Sequence, residues 1–254
     1  MASKLWILLV LMMTVGMSVV HAQEHKPPPM EAEISLVWGW ARGSFGDNID
    51  RPMPGVLFGI GGQVPRWPLV LSTELGWLNY GFDDFVELRL PVDLATTNST
   101  LTNVDARNSI LMGHLVTKFV PLQGIFMPYI DGVVGVKYIT SKVDVERSAL
   151  IDSADDGLII IGENRVRSTN SYNALALSYG LGAGINIRLF SGRFRMEEQN
   201  TAIYMHFGIR YLFGSETDYL AENSIISTDD GVRFEQVSSD TDILIPKFGI
   251  QFGF

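Results

Sequence analysis

The sequence predicts an all-β protein: an eight-stranded antiparallel transmembrane β-barrel with short periplasmic turns and long extracellular loops. Three observations favour this fold. Apolar residues alternate with polar or small residues in segment after segment, which is typical of strands that have one face in lipid. Beyond the N-terminal region, no apolar run reaches the roughly 18 residues that a membrane-spanning helix requires. The connections between the segments alternate between long and short, as in outer-membrane barrels.

The N-terminal residues have the pattern of a secretory signal peptide. Lys4 precedes an uncharged run from Leu5 to Met17, and small residues precede a cleavage point after Ala22. We therefore expect residues 1–22 to be a signal peptide and residues 23–31, which include three successive prolines, to be a short periplasmic lead-in. The barrel domain is expected to cover residues 32–254. The chain has no cysteine, which excludes disulfides and thiol chemistry.

The last fourteen residues show the alternation most clearly. Phe248, Ile250, Phe252 and Phe254 are separated by small or polar residues, so one face of the strand is apolar and the other is polar. Seven earlier segments follow the same pattern, at about 34–40, 56–60, 71–77, 111–119, 128–138, 175–187 and 203–213. An even number of strands places both termini on the periplasmic side.

Two of the long connections contain further alternation. Residues 86–94 continue the apolar pattern of the third strand after a polar interruption. A ninth spanning strand would place the two termini on opposite sides of the membrane. We interpret residues 86–94 as an extension of the third strand above the membrane, turning at residues 97–99 and pairing with the outer part of the fourth strand. Residues 141–167 allow the same interpretation.

Charged residues on the predicted strands decide which face meets lipid. The apolar faces carry none, whereas the opposite faces carry nine charged or histidine residues: Glu74, His114, Lys118, Asp131, Lys137, Arg188, His206, Arg210 and Lys247. A lysine or arginine facing lipid near the midplane costs about 2–4 kcal/mol. Several such costs would exceed the roughly 5–15 kcal/mol stability of a domain, so the polar face must line the lumen.

An eight-stranded barrel is too narrow to hydrate all these charges freely, and unpaired charges would be costly. We therefore expect salt bridges and hydrogen bonds that fill the lumen, with the pairing left open. The predicted lumen polar network comprises Glu74, His114, Asp131, Lys137, His206, Arg210 and Lys247. Interfacial aromatic residues are predicted at Trp38, Trp40, Trp77, Tyr138, Tyr179 and Tyr211. The two barrel histidines lack metal-site spacing, and we expect no metal, cofactor or catalytic residue.

The signal peptide, the eight alternating strands, the run Pro128-Tyr129-Ile130-Asp131-Gly132 and the terminal Phe254 resemble those of the small OmpA/OmpX-type outer-membrane β-barrel proteins. The resemblance implies location in the Gram-negative outer membrane, in contact with its lipid and lipopolysaccharide. It also implies that the barrel assembly machinery reads Phe248, Ile250, Phe252 and Phe254. We expect no appended peptidoglycan-binding domain.

The formal net charge of −9 argues against nucleic-acid binding. Acidic residues in the loops suggest either a solvated rim or a divalent-cation site shared with lipopolysaccharide headgroups. They are Asp152, Asp155, Asp156, Glu216, Asp218, Glu222, Asp229 and Asp230. The expected function is a non-enzymatic structural or surface-interaction role with a plugged lumen. The alternatives are a narrow porin-like channel for ions or small solutes and, third, a lipid-modifying enzyme.

Overall fold

The computed structural model describes residues 29–89, 98–152, 159–193, 200–228 and 231–254. These residues form ten strands and one helical turn. They are β1 (Met30–Ala41), α1 (Gly43–Gly46), β2 (Met53–Gln63), β3 (Leu69–Arg89), β4 (Asn98–Phe119), β5 (Phe126–Asp152), β6 (Ile159–Arg193), β7 (Asn200–Gly214), β8 (Glu216–Thr228), β9 (Gly231–Asp240) and β10 (Ile243–Gly253).

Eight of the strands close into a barrel in the order β1-β10-β7-β6-β5-β4-β3-β2, with every neighbouring pair antiparallel. The first and last strands pair with each other and close the barrel. The predicted eight-stranded antiparallel fold is therefore confirmed. If one starts at Trp40 and moves from each residue to its paired residue on the next strand, a complete circuit of the barrel ends at Met30, on the strand where it began. This displacement of ten residues is the stagger that strand tilt imposes on a closed barrel.

The outer surface of the barrel is apolar, as the alternation predicted. Large side chains such as Leu75, Leu115 and Leu181 point outward and are more than half exposed. Eight of the nine predicted inward residues, by contrast, are almost fully buried, and the ninth, Arg188, is half-buried. An apolar exterior around a closed set of strands is the arrangement that crosses a lipid bilayer without leaving backbone groups unpaired. Among the described residues, no helix is long and apolar enough to span a membrane.

The first strand begins two residues before the predicted barrel boundary. Met30 already exchanges backbone hydrogen bonds of 3.0 Å with Phe254, and the carbonyl of Pro29 accepts a bond from the amide of Gln63. Pairing with both neighbours therefore draws residues 30 and 31 of the predicted lead-in into the strand. The predicted signal peptide and the remaining lead-in up to residue 28 lie outside the described residues.

Four strands continue well beyond the barrel wall on the external side. β3 pairs with β4 as far as Arg89 and Thr100, although β2 stops pairing with β3 at Leu78. β5 pairs with β6 as far as Asp152 and Ile159. The predicted extension of the third strand is therefore confirmed to Arg89, and the same interpretation holds for residues 141–152 and 159–167. We call the part of β3–β6 above the membrane the protruding sheet.

The connection after β7, predicted as a loop at residues 214–240, instead folds as the hairpin of β8 and β9. The hairpin lies over the external mouth of the barrel together with α1. Tyr219 of β8 packs edge-on against Phe45 of α1, with ring centroids 4.9 Å apart. Its hydroxyl bonds to Asn48 and Ser239, and burial raises the pKa of Tyr219. The long connection is a folded cap whose apolar side chains cover the barrel interior.

The seam between β1 and β10 suggests a test of the predicted assembly signal. Deleting Phe254 removes one lipid-facing ring and two backbone hydrogen bonds to Met30, a loss of about 1–3 kcal/mol. We expect the variant to refold in detergent but to reach the outer membrane of cells at a strongly reduced level. Quantitative blotting of outer-membrane fractions measures this level. Phe58→Ala is the matched control, since it removes a lipid-facing ring of β2, which does not pair with the terminal strand. Equal membrane levels for the two variants would contradict an assembly role.

Candidate functional site

Charged residues in the lumen form one alternating series, which we call the charge ladder. Three bases link four acids: Asp131 pairs with Arg210, Arg210 with Glu74, Glu74 with Lys247, Lys247 with Glu33, Glu33 with Lys118, and Lys118 with Glu31. The closest nitrogen–oxygen distances in that order are 2.8, 2.6, 3.6, 3.2, 3.6 and 2.9 Å. Each base of the ladder lies between two acids.

Arg210 is the central member because its guanidinium bonds to two carboxylates. Nη1 donates to Oε2 of Glu74 at 2.6 Å, and Nη2 donates to Oδ2 of Asp131 at 2.8 Å. Nε and Nη2 make longer bonds of 3.3 Å to the second oxygens of Asp131 and Glu74. All three side chains are almost completely buried. A planar guanidinium with five donors suits this arrangement better than a lysine ammonium would.

Glycines on β6 and β7 make room for the polar side chains of β5. A Cβ atom on Gly182 would lie 2.3 Å from Oδ1 of Asp131, and one on Gly184 would lie 2.2 Å from the hydroxyl of Tyr129. A Cβ on Gly208 would also approach that hydroxyl, at 2.4 Å. A side chain at any of these positions would displace the buried end of Asp131 or Tyr129, so glycine keeps the close packing inside the narrow barrel.

Neutral side chains extend the hydrogen-bond network of the ladder at the periplasmic mouth. His206 lies between the amide oxygen of Asn186 and the hydroxyl of Tyr129, at 2.7 and 3.0 Å. Asn186 donates to Gln251 at 3.1 Å, and Gln251 donates to Glu31 at 2.6 Å. Beside these groups lies a half-open pocket of about 50 Å³. Its lining includes Glu31, Gln63, Asn186, Tyr204 and Gln251.

His114, the second predicted lumen histidine, makes no hydrogen bond to a described residue of the charge ladder. Its Nε2 atom is 3.0 Å from the hydroxyl of Ser178, and both side chains are buried. A histidine bonded to a serine is part of a hydrolase triad, but the reaction also requires room for a substrate at the serine. Both residues are enclosed by packed side chains, so the pair is best explained as a satisfied polar contact in the lumen. Among the described residues, no group of three or more histidines and acids could hold a metal ion.

Lys137 is fully buried and does not join the charge ladder. Its ammonium donates to the backbone carbonyl of Thr241, at the point where the chain returns from the cap to the barrel. No acidic oxygen of the described residues lies within salt-bridge distance of it. The structure therefore separates this residue from Glu74, Asp131, Arg210 and Lys247, with which the sequence grouped it.

The lumen is not polar along its whole length, which corrects the expectation from the strand pattern. On the external side of the ladder, inward residues of six strands pack into a layer that is closed to solvent, which we call the apolar layer. It comprises Val37, Leu78, Ile110, Ile139, Leu212 and Ile243. The cap residues Phe45, Ile49 and Tyr219 belong to the same cluster. Alternation shows which side chains point inward but not their depth, so it could not separate the two layers.

The predicted interfacial aromatics all lie at the external end of the barrel. Trp38, Trp40, Trp77, Tyr138 and Tyr179 point outward and are exposed, and Tyr211 donates to Asp242 at 3.0 Å. Of the predicted acidic loop residues, only the side chains of Glu216 and Asp218 are described, and both belong to β8. The divalent-cation interpretation therefore stays a prediction.

Glu31 and Glu33, which supply half of the acids in the ladder, are not among the residues that the strand pattern predicts for the lumen. Both are inward positions if the alternation of β1 is continued backward from Ile34. The preceding prolines favour an irregular lead-in, so the predicted strand begins at Ile34, whereas β1 begins at Met30. Lys118 was assigned to the inward face but not to the network, and Tyr129, Asn186 and Gln251 carry no charge that would have indicated their roles.

Comparison with known proteins gives similarity in structure but not in sequence. No family model matches the chain, and no curated protein matches it significantly. Ail, the attachment invasion locus protein of Yersinia pestis, has a TM-score of 0.41 and 12% identity over 89% of this chain and 97% of its own. Neisserial surface protein A has a TM-score of 0.35 and 10% identity, covering 88% and 94%. A major outer membrane protein from Thermus thermophilus has a TM-score of 0.32 and 14% identity, covering 88% and 99%.

The barrel itself supports the resemblance to the small OmpA/OmpX-type outer-membrane proteins. It has eight antiparallel strands, a closed wall and an apolar exterior, with short turns at the end that carries both termini. The resemblance predicted from sequence is therefore confirmed for the fold.

Proposed function

We propose that this protein is a non-enzymatic outer-membrane barrel that presents its protruding sheet for contact at the cell surface. The length of that sheet carries the proposal. Fourteen residue positions separate Tyr138, at the outer end of the apolar surface, from Asp152, at the end of β5. At about 3.4 Å per residue, the strand continues for roughly 48 Å beyond the aromatic residues. A structure of this length exceeds what is needed to close a barrel.

The filled interior supports a role at the surface rather than transport. The charge ladder occupies the periplasmic part of the lumen, and the apolar layer and cap occupy the external part. Water leaves narrow apolar constrictions, and ions then face a high barrier. A narrow channel, the alternative that the sequence suggested, would require both layers to rearrange.

The proposal is tested by shortening the protruding sheet while keeping the barrel. The two hairpins are closed with Asn-Gly turns directly above the pairs Asp84–Asp105 and Asp144–Thr169. We expect cells that carry the shortened protein to bind an epithelial monolayer at least tenfold less than cells with the full-length protein. Equal surface levels and equal heat-modifiable mobility on gels would show that the barrel itself is intact.

Cells without the protein provide the background for adhesion. If the full-length protein produced no adhesion above that background, or if the shortened protein adhered equally well, surface contact through the protruding sheet would be refuted. Planar-bilayer recordings of the same two proteins address the channel alternative, for which we expect no stable conductance from either.

A further inference from the structure

The charge ladder contains one more acid than it has bases. Its four acids and three bases leave an excess of one negative charge inside the lumen. His206 lies beside Glu33 but does not need a positive charge to satisfy its ring. In the neutral form, Nδ1 donates to Asn186 and Nε2 accepts from Tyr129. A buried charge without a counter-charge is costly, so the excess favours a cation from outside the ladder.

The excess charge is accessible at the periplasmic end of the ladder, where Glu31 is the last member. At the other end, Asp131 is buried and bonded to Arg210 through both carboxylate oxygens. Glu31 shares its base, Lys118, with Glu33. The Glu31 side chain is 15% exposed and lines the half-open pocket at the periplasmic mouth. A cation in that pocket would therefore complete the alternation of the ladder.

Three polar side chains of the pocket have hydrogen-bonding capacity that the described residues leave unused. Tyr204 is only 5% exposed, yet its hydroxyl makes no hydrogen bond to any described residue. The side-chain amides of Gln63 and Gln123 are likewise unbonded within the described part of the chain. A polar group on a buried side chain is normally hydrogen-bonded, so the Tyr204 hydroxyl is available to a ligand. Hydroxyl and amide oxygens both accept hydrogen bonds from a cationic donor.

The remaining wall of the pocket is apolar and selects the kind of cation. It consists of aliphatic, proline and thioether side chains: Met30, Pro68, Val70, Val120 and Met127. A short alkyl chain would remove part of this surface from water, whereas a metal ion would gain nothing from it. The described residues also offer no group of three acids or histidines that could hold a metal ion. The volume of about 50 Å³ restricts the ligand to a small molecule.

We propose that this pocket binds the ammonium group of a small primary alkylamine from the periplasm. The ammonium donates to the Glu31 carboxylate and to the Tyr204 hydroxyl, and the alkyl chain lies against the apolar wall. A primary ammonium has three donors, so a glutamine amide of the pocket can accept the third bond. The site is independent of the proposed surface contact, because it lies at the opposite end of the barrel from the protruding sheet.

Arg188 gives the proposal a sign that can be measured. It is the registered partner of Tyr204, points toward the same mouth and is half-buried. Among the described residues, no carboxylate lies within salt-bridge distance of its guanidinium. Its positive charge opposes the binding of an amine and would favour the binding of an anion. We therefore expect Arg188→Gln to leave the affinity for an amine unchanged or to raise it.

The test measures binding of n-butylammonium chloride to the refolded full-length protein in non-ionic detergent, by saturation-transfer NMR. Glu31→Gln should weaken binding at least tenfold, because the ammonium loses its charged acceptor. Tyr204→Phe removes a single oxygen atom and should weaken binding about threefold. Glu216→Gln is the matched control, since it neutralises an exposed acid on the cap, at the opposite end of the barrel.

Several results would overturn the proposal. Equal binding by Glu31→Gln and the unaltered protein would exclude this pocket, and equal weakening by Glu216→Gln would indicate a general charge effect. Displacement of n-butylammonium by equimolar sodium, or equal affinity for tetramethylammonium, would show that no N–H donor is recognised. Tighter binding of butyrate than of n-butylammonium would show that Arg188 makes this an anion site. Heat-modifiable mobility confirms that each variant is folded. Tyr204→Phe and Gln63→Leu leave the ladder intact, and each should still weaken binding if Glu31→Gln fails to fold.

Discussion

Replacing Arg210 with alanine is expected to lower the free energy of unfolding by about 3–5 kcal/mol, because it leaves two buried carboxylates without their shared cation. Glu74 still has Lys247 within 3.6 Å, whereas Asp131 has no other base within salt-bridge distance among the described residues. Urea unfolding of the refolded protein in lipid or detergent, followed by tryptophan fluorescence, measures the change.

Two further variants distinguish the loss of the buried ion pairs from the loss of the arginine side chain itself. Arg107→Ala removes an exposed arginine that also bonds to an aspartate, and its cost should stay within about 0–1 kcal/mol. The triple variant Arg210→Met/Glu74→Gln/Asp131→Asn removes the three charges together and should recover much of the lost stability. If Arg210→Ala proved no more costly than Arg107→Ala, the ladder would be hydrated and its members would not depend on one another.

Replacing Leu212 with alanine is expected to lower the free energy of unfolding by about 2–5 kcal/mol, since the side chain is fully buried in the apolar layer and its loss leaves a cavity. The same unfolding experiment measures this effect. Leu181→Ala is the matched control, because Leu181 lies on the neighbouring strand, faces lipid and is 71% exposed. Lipid chains can occupy the space vacated there, so this control should cost much less. Equal losses for the two variants would contradict a packed external layer.

The two layers also predict how the lumen responds to mutation. Neither Arg210→Ala nor Leu212→Ala alone should give a stable conductance in planar bilayers, because the other layer stays filled. The double variant perturbs both layers and is the form expected to conduct. A conducting Arg210→Ala variant would show that the apolar layer and the cap do not close the external mouth.

Much of the fold followed from the period of two in the sequence. The alternation identified eight strands, gave each strand its lipid face, and placed Glu74, Asp131 and Arg210 on the same interior surface. It also identified the extension of the third strand. These properties are local, because the side of a sheet that a residue faces depends only on its position within its own strand.

Alternation does not predict which charged residues pair with each other within the lumen. Arg210 meets Glu74 across 136 residues of chain, and the pairing depends on the ten-residue stagger accumulated around the barrel. A change of register by two residues would keep every side chain on its predicted face and still change every ion pair. The position at which β1 begins is a further example, because Glu31 and Glu33 belong to the strand only through its pairing with β2 and β10.

The sequence by itself therefore determined the barrel, its orientation toward lipid and which charges are hidden from it. Only the tertiary structure decided that the hidden charges form one ladder, that Lys137 stands apart beneath the cap, and that an apolar layer closes the external end. The physical reason is that alternation is set residue by residue along one strand, whereas depth and partnership depend on the relative shift of strands that are distant in the chain.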